Sequence, residues 1–170
     1  MKNPILKFFL LAMLFVLVSI APATSHKFES KAANYSIIFP SEFTIEDESS
    51  ETFSSMSAQA LFDEQLFFAA HHVHQAELIG IEELTQLSLD AFVDGVNGTI
   101  INQKEWMVSE NKGIHASVVS QENDLVGEYK VVIIDKIQYQ LTVASEKGKW
   151  NEANAAKFFN SFKFKKQERE

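Results

Sequence analysis

No cysteine occurs in the 170 residues, and each kind of chemistry that needs a thiol goes with it. Disulfides, thiolate zinc sites, iron–sulfur clusters and cysteine nucleophiles are excluded, as is a lipid anchor attached through cysteine. Proline is scarce, with three in all, of which only Pro40 lies beyond residue 23. Glycine is scarce too, at six, and no Gly- or Ser-rich linker or internal repeat divides the chain. A Gly-rich phosphate-binding turn of the dinucleotide type is therefore missing, together with the alternating strand–helix order that would surround it. Positive charge is in short supply: 15 Lys and Arg face 23 Asp and Glu, for a net charge of −8. Nucleic-acid binding needs phosphates neutralised by Lys and Arg, and an anionic membrane surface makes the same demand, so both partners are disfavoured. The longest apolar run is also too short to span a bilayer. Residues 8–20 are apolar apart from Ser19, against the ~20 residues a transmembrane helix requires.

What is present begins with that run. Lys2 and Lys7 precede it, and Ala21-Pro22-Ala23 follows with small residues flanking the middle position. Basic, apolar and small-residue regions in this order read as a secretory signal peptide over residues 1–23, with the mature chain starting near Thr24. Removing it takes away two lysines and no acid, which moves the net charge from −8 to −10. The remaining 147 residues suit one domain with a substantial core, which a cysteine-free exported protein needs for its stability. The late basic residues Lys157, Lys163, Lys165, Lys166 and Arg169 read as a solvated helix face and a frayed tail over 165–170.

Periodicity supplies the elements. Residues 34–39 (NYSIIF) form a β-rich run ended by Pro40, and strands follow at 43–45, 52–60 and 66–73. The stretch 48–57 is rich in Ser and Glu and reads as a solvated strand or loop edge. The period then changes. Across 80–96, Ile81, Leu84, Ser88 and Ala91 or Phe92 recur at helical spacing, with Glu82 and Glu83 in the first turn. Gly95 and Gly98 are the expected left-handed C-terminal caps. Strands return at 99–110, with Trp106 as its largest core candidate, and at 114–120 after a turn at 111–113. A hairpin follows, 128–134 with 137–144, placing Tyr139, Leu141 and Val143 on one face. A closing helix over 150–162 has Asn151 as N-cap and Ala155, Phe158, Phe159 and Phe162 as its apolar side. Strands, helix, strands, helix with hairpin connections predict an α+β domain, an antiparallel sheet with two principal helices packed on it.

Three segments together resemble the PsbP-like fold family, whose exported bacterial members include DcrB. They are Ile37 to Pro40 (IIFP), Asp135 to Val143 (DKIQYQLTV) and Phe158 to Phe164 (FFNSFKF). The resemblance implies an α/β/α sandwich over about residues 30–165. It also implies an accessory or binding role rather than catalysis, since the matching residues are structural and the family offers no shared catalytic residues to carry over. The absence of a lipid-attachment cysteine implies a free form.

Residues that bear chemistry are few. His71, His72 and His74 lie on one predicted strand, where alternation puts His72 and His74 on one face and His71 on the other. Two imidazoles spaced in this way can share zinc or copper, with His115 or Glu77 as a further ligand, because most such sites need three or four. The plainer reading makes them polar residues where a strand leaves the core. No G-x-S-x-G elbow is present, and the carboxylate pairs Glu82-Glu83 and Asp47-Glu48 read as a helix start and a solvated turn. Asn34 and Asn97 begin N-glycosylation patterns that matter only in a eukaryotic host, the first within a predicted strand. Trp106, Trp150 and the 15 phenylalanines suit a plain core or the lining of a ligand pocket. The chain thus reads as a periplasmic or secreted, non-enzymatic module that binds another envelope or extracellular protein. It implies no cofactor, no nucleic acid and no stable membrane insertion after cleavage. The alternatives are weak metal handling through His72 and His74, and a small-ligand carrier.

Overall fold

A computed structural model describes residues 26–49 and 53–165. The expected leader and its cleavage point lie outside the described residues, as does most of the expected frayed tail.

Among the described residues, ten strands and two α-helices follow in the order β1 (His26–Ser30), β2 (Tyr35–Phe39), β3 (Thr44–Ser49), β4 (Phe53–Phe62), β5 (Gln65–His74), α1 (Ile81–Gly95), β6 (Thr99–Val108), β7 (Asn111–Ser120), β8 (Leu125–Ile134), β9 (Ile137–Glu146), α2 (Glu152–Asn160) and β10 (Lys163–Phe164). Seven strands make one antiparallel sheet in the order β3-β4-β5-β9-β8-β7-β6, and β1-β2-β10 make a second, smaller one. The small sheet and α2 cover one face of the large sheet, and α1 covers β7 and β8 on the other. The domain is α+β with helices on both sides of a sheet, as expected.

The main core lies under the small sheet. Tyr139, Leu141 and Val143 of β9 are buried on one face, where they meet Tyr35, Ile37 and Phe39 of β2 and Phe158 of α2. Aromatic contacts replace the missing disulfides: Tyr35 stands edge-on to Tyr139 at 5.5 Å, and Phe158 lies 5.2 Å from Phe39 and 5.4 Å from Phe67. Pairs of this kind add about 0.5–1.5 kcal/mol each beyond the area they bury. A second core under α1 joins Leu89 to Ala116, Val118, Tyr129 and Val131, with Phe92 stacked on Tyr129 at 4.4 Å.

Several expectations are corrected. The buried positions of α1 are Thr85 and Leu89, and Ala91 is exposed, so its inner face is turned slightly from the expected stripe. Thr85 can sit inside because its hydroxyl donates to the Ile81 carbonyl. Neither Gly95 nor Gly98 is left-handed; that role falls to Asn97, at φ 49°. Gly98 serves packing instead, since a Cβ there would lie 2.6 Å from Val118. Trp106 is half-buried at the margin of the core, because β6 is an edge strand. The turn expected at 111–113 falls at Ser109 and Glu110, and Gly113 lies within β7, where a Cβ would meet the Val131 carbonyl at 2.3 Å. Asn34 occupies a left-handed turn position (φ 51°), not a strand. The short strands β1 and β10 were not anticipated; both pair with β2. Asn151 caps α2 as expected, its side chain accepting from the Asn154 amide at 3.2 Å.

Candidate functional site

The three β5 histidines separate as alternation requires, but His71 does not stand where a strand leaves the core. β5 is an interior strand between β4 and β9, and His71 is 1% exposed, opposite Tyr139 and edge-on to Tyr35 at 5.5 Å. Burial, with the neighbouring His72, holds its imidazole down at about 4, and Asp47 opposes weakly. Its Nε2 lies 3.5 Å from Ser30 Oγ, a contact sealed inside the core, and its Nδ1 has no hydrogen-bond partner among the described residues. The Ser30 hydroxyl also accepts from the Ala33 amide at 3.1 Å, and both side chains are buried.

His72 and His74 share the opposite face. Burial, then the adjacent His74, pushes His72 below the usual imidazole range. The third ligands considered do not reach them. His115 is on β7, with β9 and β8 between it and β5, and its Nε2 is paired with Glu128 Oε2 at 2.8 Å; Glu77 is exposed beyond the strand end. Among the described residues, no three His, Cys, Asp or Glu side chains converge on a metal position.

The structure instead assembles a site that sequence reasoning did not single out, between α2 and the β6-β7-β8 end of the large sheet. Antiparallel register sets Lys104 opposite His115, and His115 opposite Lys130, on the face towards α2. Two residues along β8, Glu128 shares that face and binds His115. Trp106 of β6 and Phe159 of α2 complete a cleft of about 360 Å3. The cleft is half open and carries charge, unlike the closed apolar cavity a carrier of apolar ligands would need.

Its electrostatics follow from the pairing. The His115 hydrogen bond, reinforced by His115, Lys130 and Lys104, holds the Glu128 carboxyl below the usual range, against the opposing effect of burial. Lys130 is half-buried with its Nζ 4.6 Å from the Phe159 ring centre and 5.5 Å from that of Trp106. Cation–π attraction suits an ammonium in such a place, yet burial still lowers its proton affinity, against the attraction of Glu128, which outweighs the smaller repulsion from Lys104. Among the described residues neither Lys104 nor Lys130 forms an ion pair, whereas Glu105 is taken by Lys112 at 3.3 Å. Glu152, in the first turn of α2, is the remaining acid on the rim. The arrangement suits holding an anionic group against an aromatic wall.

The long outer strand adjoins this cleft. Among the described residues β6 pairs with β7 alone, and seven of its ten residues are exposed. A bulge between Ile100 and Asn102 shifts the register, leaving a regular stretch to Val108 that carries Lys104 and Trp106. At the opposite end of the sheet, edge strand β3 carries Glu46, Asp47 and Glu48.

No protein-family model matches the chain, and no curated protein matches its sequence. Similarity to solved structures does exist. A crystal structure from Bacteroides thetaiotaomicron VPI-5482 overlaps with a TM-score of 0.42 at 10% identity, over 84% of this chain and 49% of that one, a likeness too small to support an argument. The solution structure of cyanobacterial PsbP (CyanoP) from Synechocystis sp. PCC 6803 aligns with a TM-score of 0.59 at 10% identity, covering 89% of this chain and 99% of that one. At such low identity the likeness speaks for architecture alone, and the chain therefore has the PsbP-like fold.

Proposed function

We propose that the chain is an exported, non-enzymatic accessory module that docks on another envelope or extracellular protein. The observation that carries this reading is β6, a ten-residue edge strand with no partner on its outer side among the described residues, running beside an aromatic, charge-lined cleft. Unpaired backbone N–H and C=O groups along such an edge are a ready template for another chain. The leader-like residues 1–23 support export, the acidic balance disfavours nucleic acid, and no helix among the described residues is long and apolar enough to cross a membrane.

The test is site-specific photocrosslinking in the native host, with a photoreactive residue in place of Met107, which is 47% exposed on β6. A defined adduct with one envelope or extracellular protein is expected from this position, and none from the same residue at Glu48 on the acidic edge. Mass spectrometry of the same preparation should find an N-terminus at or near Thr24. A protein that retains Met1 and sediments with membranes refutes export. Equal labelling from both edges, or none from either, refutes docking through β6.

A further inference from the structure

The two edges of the large sheet differ in charge, and the difference bears on the kind of segment each can accept. Along β3, Glu46, Asp47 and Glu48 repel an incoming acidic strand and guard that edge. β6 presents Lys104, with Lys130 two strands further in on the same face, and neither lysine has an ion pair among the described residues. A strand added to β6 would lie about 4.8 Å away, with its side chains alternating in step with those of β6. The residue opposite Lys104 would then project towards α2, over the mouth of the cleft. A carboxylate at that position reaches Lys104 directly and Lys130 through the cleft, whose 360 Å3 exceeds the volume of one acidic side chain. Glu128 acts on both lysines at a distance, but its carboxylate is hydrogen-bonded to His115 at 2.8 Å and forms a direct ion pair with neither lysine.

We infer that β6 takes an extended acidic segment of the partner protein as an added strand, with one Asp or Glu carboxylate bound between Lys104 and Lys130 over the Trp106 and Phe159 rings. The inference rests on the docking reading above and gives the partner its chemistry. Residues 102–108, beyond the bulge, set the length of the added strand at about six or seven residues. The like charges of Lys104 and Lys130, which now repel across His115, are both compensated by one carboxylate. Glu152, across the rim, limits the segment to one acid at this position, since a second placed near α2 meets a like charge.

The experiment uses the purified protein and two fluorescein-labelled probes, Thr-Val-Thr-Glu-Thr-Val-Thr and the same peptide with Gln in place of Glu. Fluorescence anisotropy at low salt should show saturable binding of the Glu peptide, with the Gln peptide weaker by about tenfold, as expected for loss of a charged hydrogen-bonded contact. Lys104→Gln, a change on the exposed side of an edge strand, should remove most of the difference between the peptides. Lys130→Met, which keeps the packing against Phe159, should remove the remainder. Amide shifts on adding the Glu peptide should map to residues 102–108 and not to β3. Equal affinity for the two peptides, a map elsewhere, or no binding up to about 1 mM overturns the inference. Glutarate binding as tightly as the Glu peptide overturns it too, by showing that the cleft serves small acids without strand pairing. If the Met107 adduct forms while the peptides fail to discriminate, acid recognition falls and docking stands; if the adduct is missing as well, both fall.

Discussion

Lowering the pH should unfold this protein partly through one core histidine. His71 titrates at about 4 in the fold, against 6.5 as its ordinary value, because burial disfavours the imidazolium. Above pH 6.5 the side chain is neutral in both states and the difference has no effect. As pH falls through 6.5 the unfolded chain takes up a proton that the folded chain refuses, and stability declines until the folded imidazole protonates near 4. At about 1.4 kcal/mol per pH unit, the loss across that window is about 3 kcal/mol. For a domain of ordinary total stability, about 5–15 kcal/mol, this is a large share. Urea denaturation at pH 7.5, 5.5 and 4 should be compared between the native chain and His71→Leu, which cannot titrate and keeps a similar volume. Glu29, held down at about 2 by Lys165 and Lys27, and Glu128 also lose stabilising contacts on acidification, but they do so in both proteins and cancel in the comparison. The native chain should lose about 3 kcal/mol more than the variant between pH 7.5 and 4. Equal losses would refute the assignment of His71 as a neutral core group.

Phe159 is 6% exposed and packs against Phe158 and under the Lys130 ammonium, so Phe159→Ala should cost about 3–5 kcal/mol in denaturant unfolding; a cost below about 1 kcal/mol would place that side chain outside the core. Glu64 occupies a left-handed position (φ 59°) in the β4–β5 hairpin, where only its exposed pairing with Lys149 speaks for it. Glu64→Gly should therefore stabilise the domain by about 1 kcal/mol, read as a higher urea midpoint, and a destabilised variant would contradict the strain argument. Calorimetric titration of zinc into metal-free protein at neutral pH should show at most weak binding, because His72 and His74 lack a third ligand among the described residues. A sub-micromolar site abolished by His72→Ala would instead promote the metal-handling reading.

Much of the fold was legible because the strands of the large sheet are long and alternate clearly. Tyr139, Leu141 and Val143 announced the core face of β9, and the switch to helical period announced α1. The strands β1 and β10 were not legible, because five and two residues hold no pattern of their own and exist only as partners of β2. Trp106 was misjudged because hydrophobicity does not say whether a strand ends up at an edge. His71 was placed on the correct face but at the wrong depth, since depth depends on β9 and β2 flanking or covering β5. The cleft was invisible for a related reason. His115 and Ser117 on β7, with Glu128 and Lys130 on β8, show two polar positions spaced by two on each strand, which is the available signal. Bringing His115 opposite Lys130 requires the register of the β7–β8 pairing, which no single segment contains.

The central face of the sheet is closed by the last pieces of the chain. Strand β2 is not complete until Lys163 and Phe164 pair with Ser36 and Tyr35, and the Ser161 hydroxyl reaches the Ile38 amide across 123 residues of sequence at 2.9 Å. Until α2 arrives, Phe39 and Phe67 have no Phe158 to pack against. The contacts of this core join residues more than a hundred positions apart, and pairings of such separation form slowly. Removing residues 158–164 therefore strips both the third strand of the small sheet and the ring on which Phe39 and Phe67 pack.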